Sequence, residues 1–148
     1  MPLPQTEAPG YLTSQLAARG VRLTRQRRTI LSVIETAKRH LNASQILRKA
    51  KAVHADVDRV TVYRTLALLK RHGLIDELDL MHMEGEKHFY ERRTQREHIH
   101  MTCIGCGQVI EFESRLFDKL KRQIATECQF HIKVARMELG GYCAKCRS

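Results

Sequence analysis

Four of the five cysteines in this 148-residue chain fall in two Cys-x-x-Cys pairs, Cys103-Ile104-Gly105-Cys106 and Cys143-Ala144-Lys145-Cys146, with 36 residues between them. A two-residue spacer lets both thiolates of a pair turn toward one centre, and two such turns close a tetrahedral shell at a Zn–S distance of about 2.3 Å. Four thiolates leave no position for water, so the expected ion, one zinc per chain, is structural rather than catalytic. A zinc nucleoside deaminase would need a proline directly before such a pair, and neither pair has one. A redox-active knuckle, in which oxidation releases the metal, stays open as a second reading. Cys128 has no partner at ligand spacing and is expected to be a small buried apolar residue.

A second donor set stands just ahead of the first pair. His98-Ile99-His100 lies where a strand is expected, and the period of two would put both imidazoles on one face and Ile99 on the other. Two histidines at that spacing chelate one ion. Glu91 on the preceding strand, Glu111 on the following one and His40 ahead of a helix add further donors, on both sides of an expected hinge. Such a set suits Fe(II), Mn(II), Zn(II) or Co(II) alike, and an ion held from both sides would favour one orientation of the two halves. Taken singly, His40 reads as an exposed polar residue; the His-x-His pair carries the reading. His54, His72, His82 and His131 are given no role.

The third constellation is basic. Residues 58–71 have a polar first half, with Arg59, Thr61, Tyr63, Arg64 and Thr65, and an apolar second half at 66–69, so only the front end can face solvent. That is the layout of a recognition helix, whose first turns enter the major groove while its last turns are buried. Arginine pairs with guanine edges or phosphates, and a tyrosine ring can pack on a thymine methyl. Arg22, Arg25, Arg27 and Arg28 crowd the start of an earlier helix and suit phosphate. An ordinary surface helix is the competing reading, and the charge distribution weighs against it. Residues 1–75 hold 14 basic and 4 acidic side chains and residues 76–148 hold 12 of each, so the whole excess of +10 lies in the first half. A block that basic attracts polyanions, nucleic acid or an anionic membrane.

These residues need elements to place them. Helices are expected over Tyr11 to Ala18, ended by Gly20; from Arg25 to about Lys38, capped by Thr24; after Asn42, with Ile46, Leu47 and Ala50 inward; and from near Asp58 to before Gly73. Strands from Leu74 to Leu80 and from Lys87 to Glu91 would meet through Met83-Glu84-Gly85-Glu86. Helix, turn, helix and hairpin make a winged helix. The α+β chain then divides into a winged helix-turn-helix domain at 1–91, a hinge at 92–97 and a small α/β dimerisation and metal-binding domain at 98–148. In the last, two strands flank the first cysteine pair, Ser114 caps a helix with Leu116, Phe117, Leu120 and Ile124 in one stripe, and a final strand runs from about Phe130 to Leu139. Its imperfect alternation implies a bulge, or burial of both faces in a dimer. No apolar run reaches the roughly 20 residues of a spanning helix, and Met1-Pro2-Leu3-Pro4-Gln5 lacks the pattern of a signal peptide. A cytoplasmic protein, with reduced thiols and no membrane partner, is expected.

Leu23-Thr24-Arg25-Gln26-Arg27, Arg59-Val60-Thr61-Val62-Tyr63-Arg64, His98-Ile99-His100-Met101-Thr102-Cys103 and Cys106-Gly107-Gln108-Val109-Ile110-Glu111-Phe112 resemble motifs of the ferric uptake regulator family, and the similarity runs from about Tyr11 to Cys146. It implies a homodimeric repressor of palindromic operators in double-stranded DNA, switched on by a divalent metal, with no catalytic activity and no small-molecule substrate. It assigns the structural zinc to Cys103, Cys106, Cys143 and Cys146, the regulatory metal to His40, Glu91, His98, His100 and Glu111, and the DNA contacts to Tyr63 and Arg64, beside Arg22, Arg59 and Thr61 from the basic pattern. Many iron-responsive members carry a run of the His-His-His-Asp-His type where this chain reads Arg96-Glu97-His98-Ile99-His100, so a further metal site on the dimerisation domain is not expected. Glu111 in place of Asp is more like iron sensors than the peroxide-sensing branch, and the window from His88 to Met101 has no Cys of the kind the zinc-sensing branch uses. Fe(II) is therefore the expected co-repressor, with Mn(II) or Zn(II), a peroxide- or zinc-sensing member, or a redox-active zinc protein binding nucleic acid nonspecifically as alternatives.

Overall fold

The computed structural model describes residues 10–80, 88–93 and 97–147. The chain divides into two compact units, one within Gln5–Arg93 and one within Thr94–Ser148. The turn expected at Met83 to Glu86 and the centre of the expected hinge, Thr94 to Arg96, lie outside the described residues.

The first unit runs α1 (Tyr11–Ala18), α2 (Arg25–Glu35), β1 (Leu41–Asn42), α3 (Ala43–Val53), α4 (Arg59–Arg71), β2 (Ile75–Leu78) and β3 (Phe89–Arg92). Local side chains start three of its helices. Thr24 accepts the Arg27 N–H at 3.3 Å, Asn42 and Gln45 exchange two 2.9 Å bonds in a capping box, and Asp58 accepts the Thr61 N–H at 2.7 Å. α1 has no cap of its own. Glu35, the last residue of α2, supplies it by accepting the Gly10 N–H at 3.0 Å and the Leu12 N–H, a carboxylate placed on the positive end of a helix. The inward faces of the four helices make one core with Leu12, Leu16, Ile30, Leu31, Ile46 and Leu69, each fully buried. An antiparallel sheet of order β1-β3-β2 lies beside it. Helix, turn, helix and wing are thus present.

Three boundaries differ from those the pattern predicts. α2 stops at Glu35, three residues short of Lys38, although Ala37 continues the apolar period; the chain must turn there to enter β1, a strand the pattern does not reveal. β2 and β3 are each shorter than expected; β2 stops at Leu78, and Leu80, two residues on, has a φ of +45°. Arg92 places its guanidinium 5.3 Å over the Tyr11 ring, and Arg93 donates to Asp76 with a shortest bond of 2.7 Å. Arg92 and Arg93, the first two residues of the expected hinge segment, are therefore held within the first unit.

The second unit consists of β4 (Ile99–Cys103), β5 (Val109–Phe112), α5 (Arg115–Glu127) and β6 (Met137–Gly141). β4 is central, antiparallel to β5 and parallel to β6, with α5 as the crossover. Ser114 caps α5 by accepting the Leu116 N–H at 3.2 Å. Of the expected stripe only Phe117 is buried; Leu116, Leu120 and Ile124 remain exposed. The last strand begins at Met137 rather than near Phe130, because residues 128–136 find no strand to pair with inside one chain. Phe130 and Val134 are exposed as a result, and so is Cys128, which contradicts the expected burial. Among the described residues no helix is long and apolar enough to cross a membrane.

Candidate metal centres and nucleic-acid interface

The two cysteine pairs meet at the end of the second sheet. Cys103 closes β4 opposite Gly141 of β6, so the parallel pairing brings the segment after β6 back to the turn after β4. The four sulfur atoms all lie within 4.8 Å of one another, with Cys106 Sγ and Cys143 Sγ 3.9 Å apart. A tetrahedral ZnS₄ shell has edges of about 3.8 Å, so the residues present fit zinc. Glycines shape the turn. A Cβ on Gly105 would come within 2.9 Å of the Cys146 Cβ, and Gly107, at φ +70°, turns its N–H onto the Cys103 carbonyl at 2.8 Å. The Cys143 N–H, donated to the Cys103 sulfur at 3.3 Å, holds that thiol down at about 6, while the neighbouring sulfurs, Cys143 first, push Cys146 up to about 12.

The histidine and carboxylate donors form a pair in each unit. In the first, β1 pairs Leu41 with Tyr90, and one step further along that register His40 faces Glu91. His40 Nε2 and Glu91 Oε2 are 2.7 Å apart, with both side chains largely buried. The two-residue strand thus gives His40 a definite place, which its isolation in the sequence does not suggest. In the second, His100 lies directly opposite Glu111, and His98 stands one pleat away on the same face. His98 Nε2 and His100 Nε2 are 3.1 Å apart, two nitrogens aimed at one region, while Ile99 is buried on the other face. A carboxylate that sequence reasoning missed, Glu138, is the parallel partner of His100 on β6; the register of β6 was the missing information. Glu97 pairs instead with Lys121 of α5, which also reaches Asp118 at 3.0 Å.

On α4 the inward face is Val62, Thr65, Leu66, Leu68 and Leu69. Thr65, grouped with the polar front by its type, is fully buried and donates its hydroxyl to the Thr61 carbonyl at 2.7 Å. Arg59, Tyr63 and Arg64 are exposed and Thr61 is half-buried. Val60, also exposed, belongs to this surface and was missed because an apolar type in a polar segment reads as core. Arg22, Arg25 and Arg28 are exposed near the start of α2, whereas Arg27 turns inward and donates to the Arg22 carbonyl. The Thr61 N–H on Asp58 holds that carboxyl below the usual range, so the cap that orients the first turn of α4 stays ionised at neutral pH.

The profile of the Ferric uptake regulator family matches residues 18–140, across both units. The chain is 33% identical over 138 residues to the ferric uptake regulation protein of Synechococcus elongatus, with 92% of each chain covered. Its fold is similar to that of the Vibrio cholerae ferric uptake regulator, a protein with DNA-binding domains, at TM-score 0.73 and 28% identity over 89% of this chain and 99% of that one. It is similar also to the ferric uptake regulator of Francisella tularensis solved with iron, at TM-score 0.73 and 28% identity over 87% and 96% of the two chains. A match that spans the winged helix and the cysteine-bearing unit alike leaves one conclusion: the chain belongs to the ferric uptake regulator family, whose members are metal-responsive, DNA-binding transcriptional repressors rather than enzymes.

Proposed function

We propose that this chain is an iron-responsive repressor that works in the cytoplasm as a homodimer and binds palindromic operators when a divalent ion is held. The winged-helix unit, 1–91, reads DNA; residues 92–97 join it to the dimerisation and metal-binding unit, 98–148. Cys103, Cys106, Cys143 and Cys146 hold one structural zinc, which stabilises the second unit. His40 and Glu91 of the first unit, with His98, His100 and Glu111 of the second, would hold the regulatory ion. When bound, that ion supplies a positive centre whose ligands come from both units, so it favours one arrangement of the reading heads by its differential affinity for that arrangement. Arg59 and Arg64 contact bases or phosphates, Tyr63 a thymine face, and Arg22 and Thr61 the backbone.

The observation that carries the sensing half of this reading is the convergence of His98 Nε2 and His100 Nε2 opposite Glu111. Fe(II) suits mixed imidazole and carboxylate donors, and so do Mn(II) and Zn(II); the iron-bound relative favours the first. The test is titration of zinc-loaded protein with Fe(II) and Mn(II) while binding to duplex DNA is followed, for the wild type and His100→Ala. The variant should keep its zinc and its dimer and lose the metal-stimulated binding. Wild-type metal dependence in His100→Ala would place the regulatory ion elsewhere.

A further inference from the structure

Among its described residues the first unit leaves only three large apolar side chains exposed: Val53 at the end of α3, and Val60 and Tyr63 on α4. The last two are one turn apart, 54% and 51% exposed, at the three-residue spacing that puts neighbours on one helix face. Ala67 extends this face by another turn, and Arg59 and Arg64 flank it. The core does not use Val60, since Val62, Leu66 and Leu69 close the inner side of α4. Helix stability does not call for it either, because a β-branched residue is a poorer helix former than alanine. A lone exposed valine means little. This one sits in the first turn of the helix that faces a polyanion, beside two arginines.

We propose that Val60 is a specificity-determining residue that reads thymine in the major groove through its C5 methyl group. The inference rests on the reading of α4 as the DNA-contacting helix, and it adds an apolar reader to the polar ones. Thymine alone of the four bases presents a methyl in the major groove, and cytosine and uracil have only a hydrogen there. An arginine on either side supplies phosphate and guanine contacts, so the valine need contribute no hydrogen bond. Its branched end offers two carbons to one methyl, whereas alanine at that place would leave the methyl facing water.

The test uses the full-length dimer loaded with zinc and Mn(II), and the duplex that wild-type protein selects from a random pool. Each thymine in the selected duplex is replaced in turn by uracil, which removes the methyl and nothing else. For wild type, at least one position per half-site besides any thymine that Tyr63 covers should lose about fourfold in affinity when the methyl goes, the worth of one buried methyl group. Val60→Ala, which changes both half-site contacts of the dimer, should bind the thymine duplex about fourfold more weakly per half-site, roughly sixteenfold in all, and show no further loss on uracil at that position, while Tyr63→Ala stays sensitive there. If Val60→Ala keeps the wild-type loss at every uracil position, or binds the thymine duplex as wild type does, Val60 reads no methyl and the inference is overturned. If wild-type protein selects no sequence at all, the DNA-reading role of α4 fails with it.

Discussion

Replacing Cys143 by serine tests how the second unit is held. The substitution removes one thiolate and keeps the backbone N–H that Cys143 donates to the Cys103 sulfur at 3.3 Å, so it isolates the metal ligand from the turn. Structural zinc contributes about 10–16 kcal/mol to small metal-dependent folds, so each of four thiolates carries roughly 3 kcal/mol. Among the described residues of this unit only Ile99, Cys103 and Phe117 are buried hydrophobics, and a large apolar side chain stabilises by about 1.5–3 kcal/mol. One thiolate is therefore worth as much as either large core residue. Cys143→Ser should lose about one zinc per chain and unfold β4 and β6 while the first unit stays folded. Metal analysis of purified protein gives the zinc content, and hydrogen exchange read by mass spectrometry reports protection segment by segment. Full zinc content with wild-type protection in residues 99–103 and 137–141 would refute the four-thiolate assignment.

Arg64→Ala should weaken duplex binding by about 1–3 kcal/mol and relax preference at one base if Arg64 contacts a base, or weaken all sequences equally if it contacts phosphate; competition against random duplex separates the two. Glu35→Ala strips the carboxylate that caps α1 and should cost about 1–2 kcal/mol in urea unfolding of the first unit; an unchanged midpoint would show that α1 is capped by water as well as by Glu35. Asp58 has its folded pKa depressed, so its stabilisation of α4 is complete above the ordinary carboxylate value of 3.8 and is lost as pH falls through the lower folded value. At neutral pH Asp58→Asn, which still accepts the Thr61 N–H, should keep DNA binding, and Asp58→Ala should reduce it; equal binding by both would mean the cap does not orient the helix.

Cap chemistry is what made the helices readable. Thr24, Asn42, Asp58 and Ser114 each bond a backbone N–H two or three residues on, a signal contained in a few residues of sequence. The cysteine knuckles were legible for the same reason, since each spacer is local. What escaped depends on distant chain. β1 is two residues long and exists through its pairing with β3, so neither the early end of α2 nor the meeting of His40 with Glu91 has a local signal. Glu138 becomes a neighbour of His100 only through the parallel register of β6. The expected strand from Phe130 failed because alternation states a preference for burial without naming the surface that provides it. Val60 escaped because residue type was read in place of exposure.

The uneven distribution of buried side chains has a consequence in time. Every member of the main core cluster lies between Leu12 and Tyr90, so a ribosome has delivered all of it before the first cysteine ligand is made. Domains fold as units, N-terminal first, as synthesis proceeds at about 5–20 residues per second. The first unit therefore completes its core from its own sequence alone. The second unit follows, and its shell of four thiolates closes only once Cys146 has been translated and an ion has arrived.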